Sequence, residues 1–209
     1  PLYRFREKFS HKGDYGHSLI IGGSFGKIGA VSLASRAALT IGSGLVTAYL
    51  PKCGYQIVQT SLPEVMVEVD AENELQYFNS KIQATAIGIG MGMGIHTKTA
   101  EGFKQFLINN KLPLVVDADA INLLSKDKSL LKLLPENSVL TPHPKEFERL
   151  VGKWKDDFEK LEKLLYLSKK YKLVLVLKGA HTVIAFKGKL YFNSTGNPAL
   201  ATAGSGDVL

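Results

Sequence analysis

A chain of 209 residues with 26 Lys and Arg against 19 Asp and Glu carries a formal charge of +7. Its hydrophobic content of 45% excludes a disordered chain and fits one folded domain with a buried core. The basic charge favours anionic ligands. The alternative is that the lysines, which are scattered along the chain, only keep the protein soluble. No Lys/Arg block is interleaved with aromatic residues, so we expect no nucleic-acid partner.

The apolar runs and the single cysteine limit the setting in which the protein works. No apolar run reaches the roughly 20 residues of a membrane span, so we expect no membrane partner. Residues 1–12 are charged and aromatic, unlike a signal peptide. Cys53 alone allows neither an internal disulfide nor a cysteine metal site. These features predict a cytoplasmic protein.

Short apolar strands alternate with helical segments along the chain. The predicted strands are 18–22, 45–50, 84–89, 114–117, 138–140, 173–177, 182–186 and 190–193. The predicted helices are 28–41, 97–110 and 147–171, the last broken near Gly152. This pattern predicts an α/β fold with a mostly parallel central sheet and helices on both faces. Lys187-Gly188-Lys189 indicates a late antiparallel hairpin at one edge.

Glycine-rich or polar segments follow five of the predicted strands. These segments are Gly22-Gly23-Ser24, Gly88 to Gly94, Asp117-Ala118-Asp119, Thr141-Pro142-His143-Pro144 and Lys178-Gly179. In α/β sheets, ligands bind beyond the carboxyl ends of the strands. We therefore expect the five segments to form one shared site.

The segment Gly204-Ser205-Gly206-Asp207 has the pattern of a phosphate site at the start of a helix. Its glycines allow close backbone approach, and the first N–H groups of a helix are free to bind an anion. We predict an anion hole at Gly204, Ser205 and Gly206. Asp207 is the predicted catalytic base for a substrate hydroxyl. The alternative is a helix cap after a glycine turn.

Two glycine-rich loops follow strands but match neither of the common phosphate motifs. In Gly22 to Ala30, Ile21 and Ile28 occupy positions where a P-loop needs Gly and Ser or Thr. In Gly88 to Gly94, the last glycine of the dinucleotide fingerprint is missing. Both loops remain suited to close ligand approach, with tight strand-end turns as the alternative.

Two polar segments in the second half of the chain supply candidate ligands. Prolines on both sides of His143 fix the backbone there, which favours a recognition role for His143. Glu146 is a candidate Mg²⁺ ligand through water, and a capped helix start with Glu146 facing solvent is the alternative. The segment 117–122 carries two carboxylates and an amide for metal or phosphate positioning, or for turn and cap chemistry.

Taken in order, these motifs resemble the ADP/ATP-dependent NAD(P)H-hydrate dehydratase family, a branch of the ribokinase-like fold. The resemblance is carried by 11–17, 22–24, 29–30, 88–92, 117–122, 141–146, 178–182, 196–198 and 204–207. It implies a three-layer sandwich. The implied reaction phosphorylates the ring hydroxyl of hydrated NADH or NADPH from ADP or ATP and then eliminates phosphate. Departures from the family pattern at Lys145, Ala199, Leu200, Ala203 and Ser205 leave Gly206 and Asp207 intact.

The resemblance also implies roles for individual residues. Those expected to contact the hydrated cofactor are Ala30, Gly92, His143 and Asp207. Those expected to hold the adenine nucleotide are Lys178, Gly179, Ala180, His181, Thr182 and Gly206. Mg²⁺ would bridge the phosphates, with Glu146 as its water-mediated partner. ADP is the implied preferred donor, and a homo-oligomer, often a tetramer, is the implied assembly.

The limits of the domain and two competing functions complete these expectations. We expect residues 1–209 to be one dehydratase-like domain that is truncated at its C-terminus, because the family continues beyond Leu209. An epimerase domain before residue 1 is compatible with the family. The alternatives are a ribokinase-like kinase for a vitamin or sugar, and a non-catalytic nucleotide-binding module. The intact Asp207 argues against the module.

Overall fold

A computed structural model describes residues 5–209 as a nine-stranded mixed sheet with helices on both faces. The strand order is β3-β2-β1-β4-β5-β6-β7-β8-β9, with the first seven parallel and the last two antiparallel. The strands are β1 His17–Ile21, β2 Leu45–Leu50, β3 Met66–Val69, β4 Ala86–Ile89, β5 Leu114–Val116, β6 Val139–Leu140, β7 Val174–Leu177, β8 Val183–Phe186 and β9 Lys189–Phe192. The predicted fold class is confirmed.

Seven α-helices accompany the sheet within the described residues. They are α1 Ile28–Thr40, α2 Tyr55–Ser61, α3 Thr97–Asn109, α4 Ala118–Lys126, α5 Pro144–Val151, α6 Asp157–Tyr171 and α7 Ser205–Val208. None of the helices in residues 5–209 has the length and apolar character to cross a membrane.

The alternation of side chains along the strands builds two cores, one on each face of the sheet. In β1, Leu19 and Ile21 belong to the larger core with Phe103 of α3. Ile20, between them, belongs to the smaller core with Val31 of α1. Since successive strand residues point to opposite faces, this apolar run is buried on both sides. The result is the predicted three-layer arrangement.

The structure corrects the sequence-based elements between residues 55 and 126. No helix was predicted after residue 117, where turn chemistry was one alternative, but α4 begins at Ala118, directly after β5. Neither α2 nor β3 was predicted, since β3 has a partly exposed edge sequence without a continuous apolar run. The predicted break near Gly152 and the hairpin at 187–189 are confirmed.

Candidate active site

The five glycine-rich or polar segments lie along one edge of the sheet. Each follows β1, β4, β5, β6 or β7, and these strands are consecutive neighbours and mutually parallel. Their carboxyl ends therefore meet at the same edge, as expected for a shared site.

Backbone contacts hold the two glycine-rich loops against each other. The Gly23 N–H donates to the Met91 carbonyl at 2.8 Å, and Ser24 Oγ donates to the Gly92 carbonyl at 2.8 Å. Gly92 has a φ of +62°, and a Cβ there would lie 3.2 Å from the Ala30 Cβ. Ala30 and Gly92, both predicted to contact the substrate, are thus adjacent, and only glycine fits the second position without strain.

A buried ion pair joins the ends of β5 and β7. Lys178 Nζ lies 2.8 Å from Asp117 Oδ1, and the two side chains are 22% and 9% exposed. The Lys178 N–H also donates to the Pro142 carbonyl at 2.9 Å, which ties in the end of β6. A Cβ added to Gly206 would lie 3.7 Å from Lys178 Nζ. The Lys178 ammonium therefore stands between Asp117 and the start of α7.

Asp207 lies in the short helix α7, where it is half-buried and lines an apolar cavity of about 580 Å³. Asp117 and Gly206 line the same cavity. Partial burial raises the pKa of the Asp207 carboxyl, the charge on Asp117 raises it further, and Lys178 opposes the rise. A carboxylate whose pKa is raised is a stronger proton acceptor, so this environment suits a general base.

Residues 178–182 turn from β7 into β8, and residues 178–181 line a separate cavity of about 460 Å³. Phe192 and Asn193 of the hairpin and Lys160 of α6 form other parts of its wall. Thr182 Oγ1 donates to the Gly179 carbonyl at 3.3 Å, which closes the turn. Lys178 borders this cavity and, through Asp117, reaches the cavity that holds Asp207.

His143 and Glu146 form a reciprocal cap at the start of α5. His143 Nδ1 accepts from the Lys145 N–H at 3.1 Å, and Glu146 Oε2 accepts from the His143 N–H at 2.9 Å. His143 Nε2 lies 3.4 Å from Glu146 Oε1, with side chains 44% and 7% exposed. The predicted capped helix start is confirmed. The accompanying expectation that Glu146 faces solvent is wrong. Burial raises the pKa of Glu146 against the opposing effect of His143.

A second polar network connects α4 and α5 to the glycine-rich loop. Asp119 Oδ2 accepts from the Gly94 N–H at 2.9 Å and lies 3.7 Å from Lys27 Nζ. Asn122 Nδ2 donates to Asp119 Oδ1 at 3.3 Å, and Arg149 Nη1 donates to Asn122 Oδ1 at 2.8 Å. Asp119 and Asn122 thus position the loop in this structure.

The predicted anion hole has part of its hydrogen-bonding capacity in use. Ser205 Oγ donates to the Thr202 carbonyl at 3.0 Å, and the Ser205 N–H donates to the same oxygen at 3.4 Å. The Asp207 N–H donates to the Gly204 carbonyl at 3.1 Å. The role of Gly204, Ser205 and Gly206 in binding an anion stays a prediction.

No three-residue His, Cys, Asp or Glu cluster suited to a metal ion occurs between residues 5 and 209. The carboxylates of Asp117 and Glu146 are close enough to influence each other. Mg²⁺ typically keeps several waters and takes one or two protein carboxylates beside substrate phosphates. This sparse donor set fits such an ion.

Several residues that shape this edge were not predicted from the sequence. Lys27 and Arg149 were not singled out, because their partners lie far along the chain. Asp70 was also missed, although its carboxylate accepts the N–H groups of Tyr77 and Phe78 at 2.9 and 3.0 Å. The motif 11–17 leads into β1 at His17, at the opposite end of the strand from Gly22, and His11 and Asp14 cap a short 3₁₀ helix there.

Comparison with known proteins agrees with this arrangement. A sequence model described as NAD(P)H-hydrate dehydratase matches residues 18–209. The chain is 42% identical over 219 residues to the bifunctional NAD(P)H-hydrate repair enzyme of Moorella thermoacetica, covering 98% of this chain and 41% of that protein. It is 38% identical to the ADP-dependent (S)-NAD(P)H-hydrate dehydratase of Staphylococcus aureus, covering 98% and 73%.

A solved structure gives the same relationship in three dimensions. The ADP/ATP-dependent NAD(P)H-hydrate dehydratase of Bacillus subtilis, co-crystallised with ATP and Mg²⁺, superposes with a TM-score of 0.80 at 29% identity. The match covers 98% of this chain and 73% of that one. The chain spans about two fifths of the length of the bifunctional repair enzymes that it matches.

Proposed function

Since the chain belongs to the NAD(P)H-hydrate dehydratase family, we propose that it repairs hydrated NADH or NADPH by nucleotide-dependent dehydration, as a hydro-lyase. The observation that carries the proposal is the position of Asp207. Its carboxyl has a raised pKa and borders an apolar cavity, within the influence of Lys178. Lys178 also lines the cavity formed by residues 178–181 and the hairpin. A proton acceptor and a nucleotide-sized cavity thus lie on two sides of one lysine.

The proposed first step is phosphorylation of the substrate hydroxyl. Asp207 takes the proton from the ring hydroxyl, and the hydroxyl oxygen attacks the terminal phosphoryl group of ADP or ATP. The bond to the leaving phosphate breaks, so the nucleotide departs shorter by one phosphate. Lys178 and the N–H groups at the start of α7 stand where charge develops on the transferring group.

The second step expels phosphate from the phosphorylated ring. The lone pair of the ring nitrogen forms a double bond to the adjacent carbon as the carbon–oxygen bond breaks. Loss of a proton from the neighbouring carbon then restores the dihydronicotinamide. Ala30, in the first turn of α1, and Gly92, in the loop after β4, lie side by side and are proposed to contact the substrate together with His143.

The adenine nucleotide is proposed to occupy the cavity lined by residues 178–181 and to contact the whole segment 178–182. This segment combines a lysine with the exposed residues Gly179, Ala180 and His181 and with Thr182, so its backbone is open to a ligand. Gly206, 3.7 Å from Lys178 Nζ at its virtual Cβ, is proposed to approach the phosphates. ADP is the proposed donor, with ATP as the alternative.

Mg²⁺ is the proposed metal, held mainly by nucleotide phosphates and water. When bound, it neutralises charge on the phosphates. Glu146 is the proposed water-mediated partner, since its carboxylate is tied into the α5 cap and lies near Asp117 and Lys178. Glu146→Gln should therefore raise the Mg²⁺ concentration needed for half-maximal rate, while the ADP-free protein keeps its fold.

The setting of the enzyme is a further part of the proposal. We infer a homo-oligomer, from family resemblance, working in the cytoplasm. One free cysteine, Cys53, is consistent with a reducing compartment.

The decisive experiment follows the return of NADH absorbance. The full-length protein is mixed with hydrated NADH, Mg²⁺ and either ADP or ATP, with hydrated NADPH in parallel. Recovery that depends on nucleotide supports the dehydratase, and the nucleotide with the higher kcat/KM is the donor. No recovery with either nucleotide would overturn it, and phosphorylation of a vitamin or sugar hydroxyl instead would indicate a kinase.

A further inference from the structure

A cavity of about 690 Å³ opens beside the predicted substrate site and is not used by the proposed chemistry. We name it the loop groove. One wall consists of residues 24, 25, 27 and 94–96, after β1 and β4, and the other of residues 70–74, 76 and 77, after β3. The volume lies within the range of small-molecule sites, which is roughly 300–1,000 Å³.

The loop groove lies next to Ala30 and Gly92, the pair proposed to contact the substrate. A Cβ on Gly92 would lie 2.8 Å from the Lys27 carbonyl oxygen and 3.2 Å from the Ala30 Cβ. Lys27 also lines the loop groove, as does Ser24, whose hydroxyl donates to the Gly92 carbonyl. A ligand that has its reacting end near Gly92 can therefore extend past Lys27 into the loop groove.

The outer wall is held in place by one carboxylate. Asp70 accepts N–H groups from Gln76, Tyr77 and Phe78 at 3.2, 2.9 and 3.0 Å. It also accepts the Tyr49 hydroxyl at 3.0 Å. With so many donors on one side chain, the wall is formed before any ligand arrives, as in most ligand sites.

The two walls are tied together and carry one aromatic ring each. The Phe25 N–H donates to the Asn73 carbonyl at 2.9 Å across the loop groove. Phe25 and Tyr77 are 76% and 63% exposed although both line it. Aromatic faces presented at a cavity are stacking platforms for a nucleobase, because every base has a π-face.

The charges along the loop groove are not uniform. Lys27, next to the glycine loop, is 59% exposed and only weakly engaged with Asp119 at 3.7 Å. The far wall carries Glu72, which pairs with Lys52 at 2.8 Å, and Glu74, which forms no ion pair within residues 5–209. The cation therefore lies near the glycine loop and the net negative charge lies on the far wall.

We propose that the loop groove binds the adenosine half of the hydrated dinucleotide and favours hydrated NADH over hydrated NADPH. This rests on the proposed function. Lys27 meets the pyrophosphate, Phe25 and Tyr77 contact the adenine, and Glu74 accepts from the ribose hydroxyls. A 2′-phosphate would bring like charge against Glu74, whereas a 2′-hydroxyl can donate to it, which is how acidic residues select NAD elsewhere.

The test is a binding titration that needs no turnover. NADH and NADPH fluorescence is titrated with the protein, and reduced nicotinamide mononucleotide, which lacks the adenosine half, is the truncated probe. Phe25→Ala and Tyr77→Ala should each weaken NADH binding about tenfold and leave mononucleotide binding unchanged. Tyr166→Ala is the matched control, because Tyr166 is also 63% exposed but lies on α6, outside the loop groove.

The proposed preference for NADH over NADPH is tested by reversing the charge of one residue. The native protein should bind NADH more tightly than NADPH, and Glu74→Lys should shift the ratio of the two affinities toward NADPH by about tenfold. Glu162→Lys, an exposed position on α6, should leave the ratio unchanged. Equal losses in the Tyr166 and Tyr77 variants would overturn the aromatic contact, and an unchanged ratio in Glu74→Lys would overturn the selection.

These outcomes are separate from the proposed function. Absence of dehydration with either nucleotide would overturn the repair activity while the titrations still report on the loop groove. Dehydration with unaltered KM values for hydrated NADH in the Phe25 and Tyr77 variants would overturn the loop groove and leave the activity standing.

Discussion

Lys178 Nζ lies 2.8 Å from Asp117 Oδ1, across 61 positions of sequence, and Lys178 lines the cavity of residues 178–181 while Asp117 lines the apolar cavity of Asp207. The ammonium of Lys178 also acts on other carboxyls, because its charge lowers the pKa of both Asp207 and Glu146. Substitutions in this pair should therefore change the pKa of Asp207 through electrostatics, without any direct contact.

Replacing Asp207 by Asn should remove the proton acceptor and keep the size of the side chain. We expect kcat to fall by about a hundredfold to ten-thousandfold, the usual contribution of a general base. The affinity for ADP should stay the same, because the cavity proposed for the nucleotide is lined by residues 178–181 and Val183 rather than by Asp207. Steady-state rates and a nucleotide titration measure both. Retained turnover would place the base elsewhere.

Removing the charge of Asp117 or of Lys178 should shift the pH profile of activity in opposite directions. Activity needs ionised Asp207, so it is lost as the pH falls through the pKa of Asp207. Asp117 raises that pKa and Lys178 lowers it. In Asp117→Asn the acidic limb of kcat/KM should therefore move to lower pH, and in Lys178→Met to higher pH.

A double variant controls this pH experiment. Lys178→Met alone leaves Asp117 buried and unpaired, which costs about 3–5 kcal/mol of stability. Combining it with Asp117→Asn removes both charges, so the limb should return toward the native position. Shifts of the same sign in both single variants would contradict the electrostatic account.

Gly90→Ala should destabilise the fold because two faults coincide there. Gly90 has a φ of +123°, and a Cβ would lie 2.0 Å from the Asp117 carbonyl oxygen. We expect a loss of about 3 kcal/mol or more in the free energy of unfolding, measured by urea denaturation. Gly26→Ala is the control, since Gly26 has a φ of +79° with nothing within 4 Å and should lose only about 1 kcal/mol. Equal losses would show that the contact with Asp117 is not the cause.

The sequence predicted most of the sheet because its strands are short apolar runs buried on both faces. The ends of those strands could also be predicted as the site, since parallel strands place their carboxyl ends together. β3 was not predictable in this way, because Met66 is 42% and Val69 is 45% exposed at the sheet edge. A half-exposed edge strand lacks the apolar run by which the others were found.

The start of α4 and the partners of the site residues required the structure. Asp117-Ala118-Asp119 has turn composition, and Ala118 does adopt a φ of +46°, but the chain goes straight into a helix. Lys178 can pair with Asp117 because only β6 separates β5 from β7 in the sheet, and local sequence does not encode this strand order. The same holds for Asp70, whose partners are set by the path of the loop after β3.

Removing the carboxylate of Asp70 should loosen the outer wall of the loop groove. Asp70→Ala leaves the Tyr77 and Phe78 N–H groups and the Tyr49 hydroxyl without their acceptor. We expect a loss of about 3 kcal/mol in the free energy of unfolding, together with weaker NADH binding. Asp157→Ala is the control, because Asp157 is 84% exposed in its pair with Lys160. Full stability in Asp70→Ala would contradict the assigned role.

Glu146 should weaken the fold as the pH rises, because its burial disfavours the ionised form. Burial raises the pKa of Glu146 despite the opposing His143 N–H and His143 ring. The folded state therefore holds this proton more tightly than the unfolded state, and stability falls as the pH rises from the usual carboxyl pKa through the folded one. Glu146→Gln keeps an oxygen acceptor for the His143 N–H and carries no charge, so its stability relative to the native protein should increase over that pH range.

A carboxyl with the opposite shift provides the control for this last experiment. The Lys155 N–H and Lys163 lower the pKa of Glu159, so its ionised form stabilises the fold and Glu159→Gln should lose relative stability as the pH rises. Urea denaturation of the native protein and both variants at several pH values measures the two trends. Parallel trends in the two variants would show that the burial of Glu146 does not govern its protonation.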